Sequence, residues 1–158
     1  MAVSPDDLKK VLSCRASGVS IVTSRDGDKI HGMTVSAFTE VSLDPPLVLV
    51  CADKGSNTHP VIEAGRVFAV NVLAADQQDL SNKFASKKDE HRRFEGLDYD
   101  TGDTGAPLIA GTVANFDCRV VAAHDAGDHV IYVGHVEGAR RSDKEPLVYY
   151  GSAYRQLS

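Results

Sequence analysis

The sequence predicts a mainly β protein, an antiparallel barrel with a few short flanking helices. Short runs rich in β-branched residues recur along the chain, about eight of them, separated by clusters of Gly, Pro and Asp. Two of the last runs are long, roughly ten residues each, and face each other across a turn at Gly127; long paired strands of this kind twist strongly and curl. Strands do not alternate with helical segments, and no run is followed by the glycine fingerprint of a nucleotide-binding βαβ unit, so the doubly wound α/β fold is excluded.

Each element has a local cause. Ser4 stands as an N-cap, Pro5 at the first helical position and Asp7 at N3, with Leu8, Val11 and Leu12 at helical spacing. Val19 to Ser24 and Lys29 to Ser36 form a hairpin around Asp26-Gly27-Asp28. Phe38 to Leu43 alternates, Asp44-Pro45-Pro46 interrupts, and Leu47 to Cys51 is apolar throughout, as expected of a strand buried on both faces. Val67 to Leu73 is a second such run. Between them His59 to Ala64 makes one or two helical turns ended by Gly65. Ala74 to Ser86 is a helix with Leu80 and Phe84 on one face. Residues 87–111 are polar and read as a long surface excursion. Val113 to Ala123 and His129 to Ala139 are the long strands, Pro146 to Tyr150 is a short one, and Ala153 to Leu157 closes the chain.

The bulk numbers bound the function. A length of 158 residues suits a single domain over 1–158 with a real core. Apolar residues at 42% and charged residues at 25% describe an ordinary globule, and a net charge of −5 argues against coating nucleic acid or anionic membrane. No apolar run reaches the ~20 residues of a bilayer span, and the amino terminus lacks a signal-like apolar core. Cys14, Cys51 and Cys118 form an odd set without a CxxC pair, which favours reduced thiols and a cytoplasmic home.

Common motifs are absent: no Walker loop, no HExxH, no GxSxG elbow. The six histidines show no zinc-ligand spacing, so no metal is expected. Cys51, in an apolar strand, reads first as a small buried hydrophobe.

Two polar clusters interrupt apolar strands. In Gly32-Met33-Thr34-Val35-Ser36-Ala37 the residues Thr34 and Ser36 share one face, while Met33 and Val35 share the other. Hydroxyls and backbone amides beside small residues suit the pyrimidine edge of an isoalloxazine ring; a solvated strand face fits the pattern equally well. In Asp53-Lys54-Gly55-Ser56-Asn57-Thr58-His59-Pro60, hydroxyls and a lysine precede a helix start, a setting for a phosphate. Ordinary capping explains the same residues.

The stretch from His31 through Ser86, containing both clusters, resembles the flavin reductase-like family with the FMN-binding split β-barrel almost residue by residue. Gly18-Val19-Ser20-Ile21-Val22-Thr23 is similar to that family's opening strand. Gly127-Asp128-His129-Val130-Ile131-Tyr132-Val133-Gly134 is similar to its late ribbon, and Pro146 to Tyr150 with Tyr154 to its ending. The likeness spans roughly residues 8 to 157; Cys14-Arg15-Ala16-Ser17 departs from it. The resemblance implies a homodimer that reduces FMN, or FAD, with NADH or NADPH and hands reduced flavin to a partner monooxygenase. It implies that Met33, Thr34, Val35, Ser36 and Ala37 meet the ring and ribityl chain. Cys51, Ala52 and Asp53 would pass beneath through backbone groups, and Ser56, Asn57 and Thr58 would hold the phosphate. Phe84 and Ala85 would close the far side, with His129 (the catalytic candidate) and Tyr154 on the nicotinamide side. An FMN-binding electron carrier without nicotinamide turnover is the alternative on this barrel. A pyridoxamine-phosphate oxidase-like enzyme is disfavoured because no basic cluster suits a second phosphate. Arg92, Arg93, Arg140 and Arg141 each offer a cation to a 2′-phosphate, so NADH and NADPH are not distinguished.

Overall fold

In the computed structural model, which describes residues 2–158, an amino-terminal helix α1 (Pro5–Leu12) begins as its sequence dictates. The Ser4 hydroxyl accepts from the Asp7 amide at 3.1 Å, acids occupy the first turn and Lys9 and Lys10 the last, matching the helix dipole. Then come β1 (Ser17–Gly18), β2 (Ser20–Asp26), β3 (Lys29–Val35), β4 (Phe38–Leu43) and β5 (Pro46–Asp53). They are followed by α2 (His59–Gly65), β6 (Val67–Val72) and α3 (Gln78–Ala85), the last entered through a 3-10 turn at Ala75–Gln77. The remainder is β7 (Tyr99–Thr101), β8 (Pro107–Ile109), β9 (Ala114–Ala126), β10 (His129–Arg141), β11 (Val148–Tyr150) and β12 (Ala153–Arg155).

Seven strands form one antiparallel sheet in the order β3-β2-β6-β9-β10-β5-β4. Its middle is the 13-residue pair β9 and β10, joined at Gly127, whose φ of +63° needs glycine at the tight turn. Register shifts after Val133 and after Val136 bend this ribbon. The sheet's edge strands, β3 and β4, are consecutive in the chain, joined by Ser36 and Ala37, and they form no ladder with each other. The expected barrel is therefore a curled antiparallel sheet that is not closed by hydrogen bonds among the described residues. A small sheet, β1-β11-β12, lies beside it, and β7 pairs with β8.

Burial follows the sheet's faces. Val22, Val48, Val50, Ile62, Phe68, Val70, Cys118 and Tyr132 form the main core, with Met33, Val35, Phe38 and Phe116 packed against it. A second cluster of Val19, Ile21, Leu73, Phe84, Ile109 and Leu147 lies beneath α3. The expectation of a fully buried β5 is corrected. Val48, Val50 and Ala52 are buried, but the alternate residues Leu47, Leu49 and Cys51 are only half-covered. β6 is buried on both faces over most of its length, as its composition predicts.

Two local expectations also shift. Gly65 belongs to α2, and the left-handed residue that ends the helix is Arg66, at φ 59°. The need for glycine at 65 is steric: a Cβ there would overlap the Arg25 carbonyl oxygen. The 87–111 excursion is partly anchored. Arg93 is 4% exposed, Pro107–Ile109 is buried, and the Thr23 hydroxyl donates to the Pro107 carbonyl at 2.5 Å.

Candidate functional site

The two edge strands meet at the joint of Ser36 and Ala37. Of the residues singled out in the sequence, Thr34, Val35, Ser36, Ala85 and Tyr154 line one cleft there, while Ser56, Asn57, Thr58 and His129 are not part of its lining. β3 pairs only with β2, so alternate residues direct their N–H and C=O away from the sheet. The Gly32 carbonyl takes this outward direction and accepts from Arg93 Nη1 at 2.7 Å. Two residues on, Thr34 shares that direction by strand period. On the other edge, the Cys51 amide donates to the Ala37 carbonyl at 3.1 Å, which ties the first cluster to the Cys51–Asp53 strand end. His129 of β10 pairs with Asp53 in register and thus sits beside that end.

A cleft of about 250 Å³ opens at the joint, lined by Val19, Thr34, Val35, Ser36, Ser81, Ala85, Tyr149 and Tyr154. Ser36 and Ala85 are exposed into it. The Thr34 hydroxyl donates to the Ser81 carbonyl at 2.6 Å; the Ser81 hydroxyl and Tyr154 OH are 2.7 Å apart, and Tyr154 OH donates to Asn82 Oδ1 at 3.0 Å. Tyr149 meets Tyr154 edge-on, with centroids 5.2 Å apart. Small residues on one side, an aromatic wall on the other and an unpaired strand edge between them suit a flat heteroaromatic ligand with alternating donors and acceptors. Met33 packs into the main core, and Ala52 is fully buried, so both reach the joint only through backbone groups.

Phe84 is a correction. Its ring is fully buried among Val19, Ile21 and Leu73, edge-on to Phe94 and under Gly32, where a Cβ would come within 3.0 Å of the ring. It supports the cleft from beneath and does not line it. The helical spacing that puts Leu80 and Phe84 on one face places that face on the core.

The second cluster lies around the Asp53–Thr58 loop. Asp53 Oδ1 accepts from the Gly55 amide at 2.7 Å, and the Ser56 hydroxyl donates to the Asp53 carbonyl at 2.8 Å while accepting from the His59 amide at 3.2 Å. Ser56 is half-buried and Asn57 exposed. Thr58 is a second correction: it is fully buried, and its hydroxyl is hydrogen-bonded to His31 Nδ1 at 2.6 Å, so it does not face outward toward an anion. His31 Nε2 lies 3.3 Å from Glu90, whose carboxylate also accepts from Asn57 Nδ2 at 3.0 Å and pairs with Arg93 at 3.4 Å. No local pattern in the sequence announces this network, because its partners are far apart along the chain.

Burial, then Arg93, hold the His31 pKa below its ordinary value, against the opposing pull of Glu90; Lys29 adds to the lowering. A histidine that is harder to protonate folded than unfolded binds fewer protons in the native state. Its stabilising contribution is whole above the unfolded value near 6.5 and is lost as pH falls below it. The melting temperature is therefore expected to fall between pH 7 and pH 5.5, and His31→Gln to flatten that slope. An equal slope in the variant would remove His31 as the cause.

His129 is half-exposed, and its Nδ1 lies 2.7 Å from the Asp128 carboxylate, which that hydrogen bond holds below the usual carboxylate range. Burial raises the Cys51 thiol pKa, consistent with an inert thiol. The arginines weighed for a 2′-phosphate are mostly engaged: Arg92 with Glu95, Arg93 with two carbonyls, Arg140 with Asp100. Among the described residues no cluster of His, Cys, Asp and Glu is arranged to hold a metal ion, and no helix is long and apolar enough to cross a membrane.

Residues 12–158 match the family model described as a flavin reductase like domain. The chain is 44% identical over 150 residues to the FMN reductase (NADH) SmoA of Agrobacterium fabrum, an alignment covering 95% of this chain and 84% of that protein. It is 36% identical over 155 residues to HsaB, the reductase subunit of a flavin-dependent monooxygenase of Mycobacterium tuberculosis, covering 96% and 82%. The solved structure of a Streptomyces globisporus NADH:FAD oxidoreductase in complex with NAD and FAD fragments superposes with a TM-score of 0.91 at 37% identity, covering 100% of this chain and 97% of that one.

Proposed function

The chain belongs to the flavin reductase-like family, and on that footing we propose that the cleft between β3, α3 and β12 holds the flavin that it reduces. The protein is an NADH-dependent flavin reductase, in which hydride passes from the nicotinamide to FMN or FAD by chemistry intrinsic to those two molecules. The observation that supports the assignment of the site is the outer edge of β3 at Thr34 and Val35, which no strand covers and which, with Ser36 and Ala85, lines a cleft.

The chain's own residues bind and orient. Thr34, Val35, Ser36 and Ala37 present backbone groups and the Ser36 hydroxyl to the ring edge, Cys51 to Asp53 run beneath, and Ser56 with Asn57 face the phosphate. His129 and Tyr154 border the nicotinamide side, where holding two rings in contact is the protein's main contribution. No proton donor is needed for the hydride itself, so His129, held by Asp128, orients the nicotinamide or balances charge. Replacing His129 by Ala is expected to lower kcat/KM for NADH about tenfold, or ~1.4 kcal/mol; an unaltered rate would remove that role.

The remaining parts of the reading follow from the same family. A single domain over 1–158 forms a split barrel, two copies make a homodimer in the cytoplasm, and reduced flavin goes to a monooxygenase component. The Ser56 hydroxyl, which donates to the Asp53 carbonyl in the ligand-free chain, would turn to the phosphate, and a hydrogen bond to a charged group is worth ~1.5–3 kcal/mol. Ser56→Ala is therefore expected to raise the FMN dissociation constant about tenfold and to leave riboflavin binding unchanged. Equal weakening of both ligands would dissociate Ser56 from the phosphate. The activity is tested by mixing the protein with NADH or NADPH and FMN or FAD while following nicotinamide absorbance. Repeated turnover with NADH is expected; a yellow protein without turnover would overturn the reductase reading.

A further inference from the structure

We propose that Ser81 is a positioning residue that sets both walls of the flavin cleft at once; the proposal rests on the placement of the flavin given above. Ser81 is fully buried in α3, yet both of its oxygen atoms serve residues on other elements. Its backbone carbonyl accepts the Thr34 hydroxyl of β3 at 2.6 Å, and its side-chain hydroxyl is bonded to the Tyr154 hydroxyl of β12 at 2.7 Å. Tyr154 is held a second time, donating to Asn82 Oδ1 at 3.0 Å. β3 lies at the edge of the large sheet and β12 in the small one, and the two sheets share no ladder. One helical residue thus bonds directly to both walls of the cleft, Thr34 and Tyr154.

The geometry also assigns what each wall shows a ligand. The Thr34 and Tyr154 hydroxyls are both engaged inward, on α3, so Tyr154 offers a ligand its ring and not a proton. Its ring orientation is fixed by the two hydroxyl contacts at one end and by Tyr149 edge-on to it. Losing the Ser81 hydroxyl leaves Tyr154 tied only to Asn82, and the wall it forms turns more freely. Such a defect weakens binding of a flat ligand without touching the atoms that react.

The test is a double-mutant cycle on flavin affinity, read by quenching of FMN fluorescence on titration, together with steady-state kinetics. Ser81→Ala is expected to raise the dissociation constant and KM for FMN about fivefold, the worth of one neutral hydrogen bond, with kcat within about twofold of wild type. Tyr154→Phe, which also loses the Asn82 contact, is expected to raise the FMN dissociation constant at least as much. The double variant is expected to bind no more weakly than Tyr154→Phe alone, because the two act through one contact. Multiplied effects in the double variant, unchanged FMN affinity, or a fall in kcat at constant KM would each overturn the proposal. If Ser81→Ala does not fold, Tyr154→Phe is compared with Asn82→Ala, which removes only the other partner of that hydroxyl: a greater loss of FMN affinity in Tyr154→Phe is expected, and equal losses would overturn the role of Ser81. Wild-type protein that binds no FMN would overturn the site itself; wild type that binds, with variants that bind equally well, would overturn only the role of Ser81.

Discussion

Gly65→Ala is expected to lower the melting temperature by about 10 °C. The new Cβ would lie on the Arg25 carbonyl oxygen and close to the Asp26 Cα, both backbone atoms of the β2 end, so no side chain can swing aside to make room. Either α2 or the β2–β3 hairpin must move, and α2 carries the core residues Val61 and Ile62, both essentially without solvent exposure. Overpacking of this kind costs about 3 kcal/mol. Alanine's better helix propensity returns at most ~1 kcal/mol, and less at the last residue of a helix. At about 2–4 °C per kcal/mol for a chain of this size, the loss is large enough to read by calorimetry. Gly18→Ala is the control, since nothing lies within 4 Å of a Cβ there; a similar drop in both variants would show that the clash is not the cause.

Ala85→Trp is expected to weaken flavin binding about a hundredfold, or ~2.7 kcal/mol, while leaving the melting temperature within a degree or two. Ala85 is exposed at the end of α3 and borders the cleft opposite Ser36. An indole there fills space that is otherwise about 250 Å³, yet it replaces no core contact. Loss of flavin affinity with an intact fold places the ring in this cleft. Undiminished affinity would place it elsewhere, whatever the activity of the chain.

What could be read from the sequence was what is encoded locally. The α1 cap, the hairpin at Gly27, the interruption before β5 and the long ribbon turning at Gly127 all rest on residues within a few positions of each other, and each is where its pattern puts it. The Thr34–Ala37 segment stood out as a polar cluster for the same local reason, whereas Cys51–Asp53 was singled out as a segment only by the family resemblance; one hydrogen bond, from Cys51 to Ala37, joins the two segments. Phe84 and Thr58 were misjudged because burial is a property of what packs on a residue. The partner of Thr58 is 27 positions away, that of Arg93 61, and that of Ser81 73. A serine in a helix and an arginine in a polar stretch carry no local mark of such partners. The outer face of β5 was misread similarly: uniform apolarity does not say whether the second face is covered by this chain.

The unpaired edge at Thr34–Ala37 has a consequence for how the protein behaves between turnovers. An open strand edge is a template on which another chain can add itself, and proteins ordinarily blunt such edges with charge or cover. Here the guard is partial: the Arg93 guanidinium occupies the Gly32 carbonyl, and α3 lies against β3, but no strand covers the outer edge at Thr34. With the flavin proposed to lie along that edge, the ligand-free protein is expected to self-associate more readily than the flavin-bound protein, a difference that light scattering with and without FMN reads.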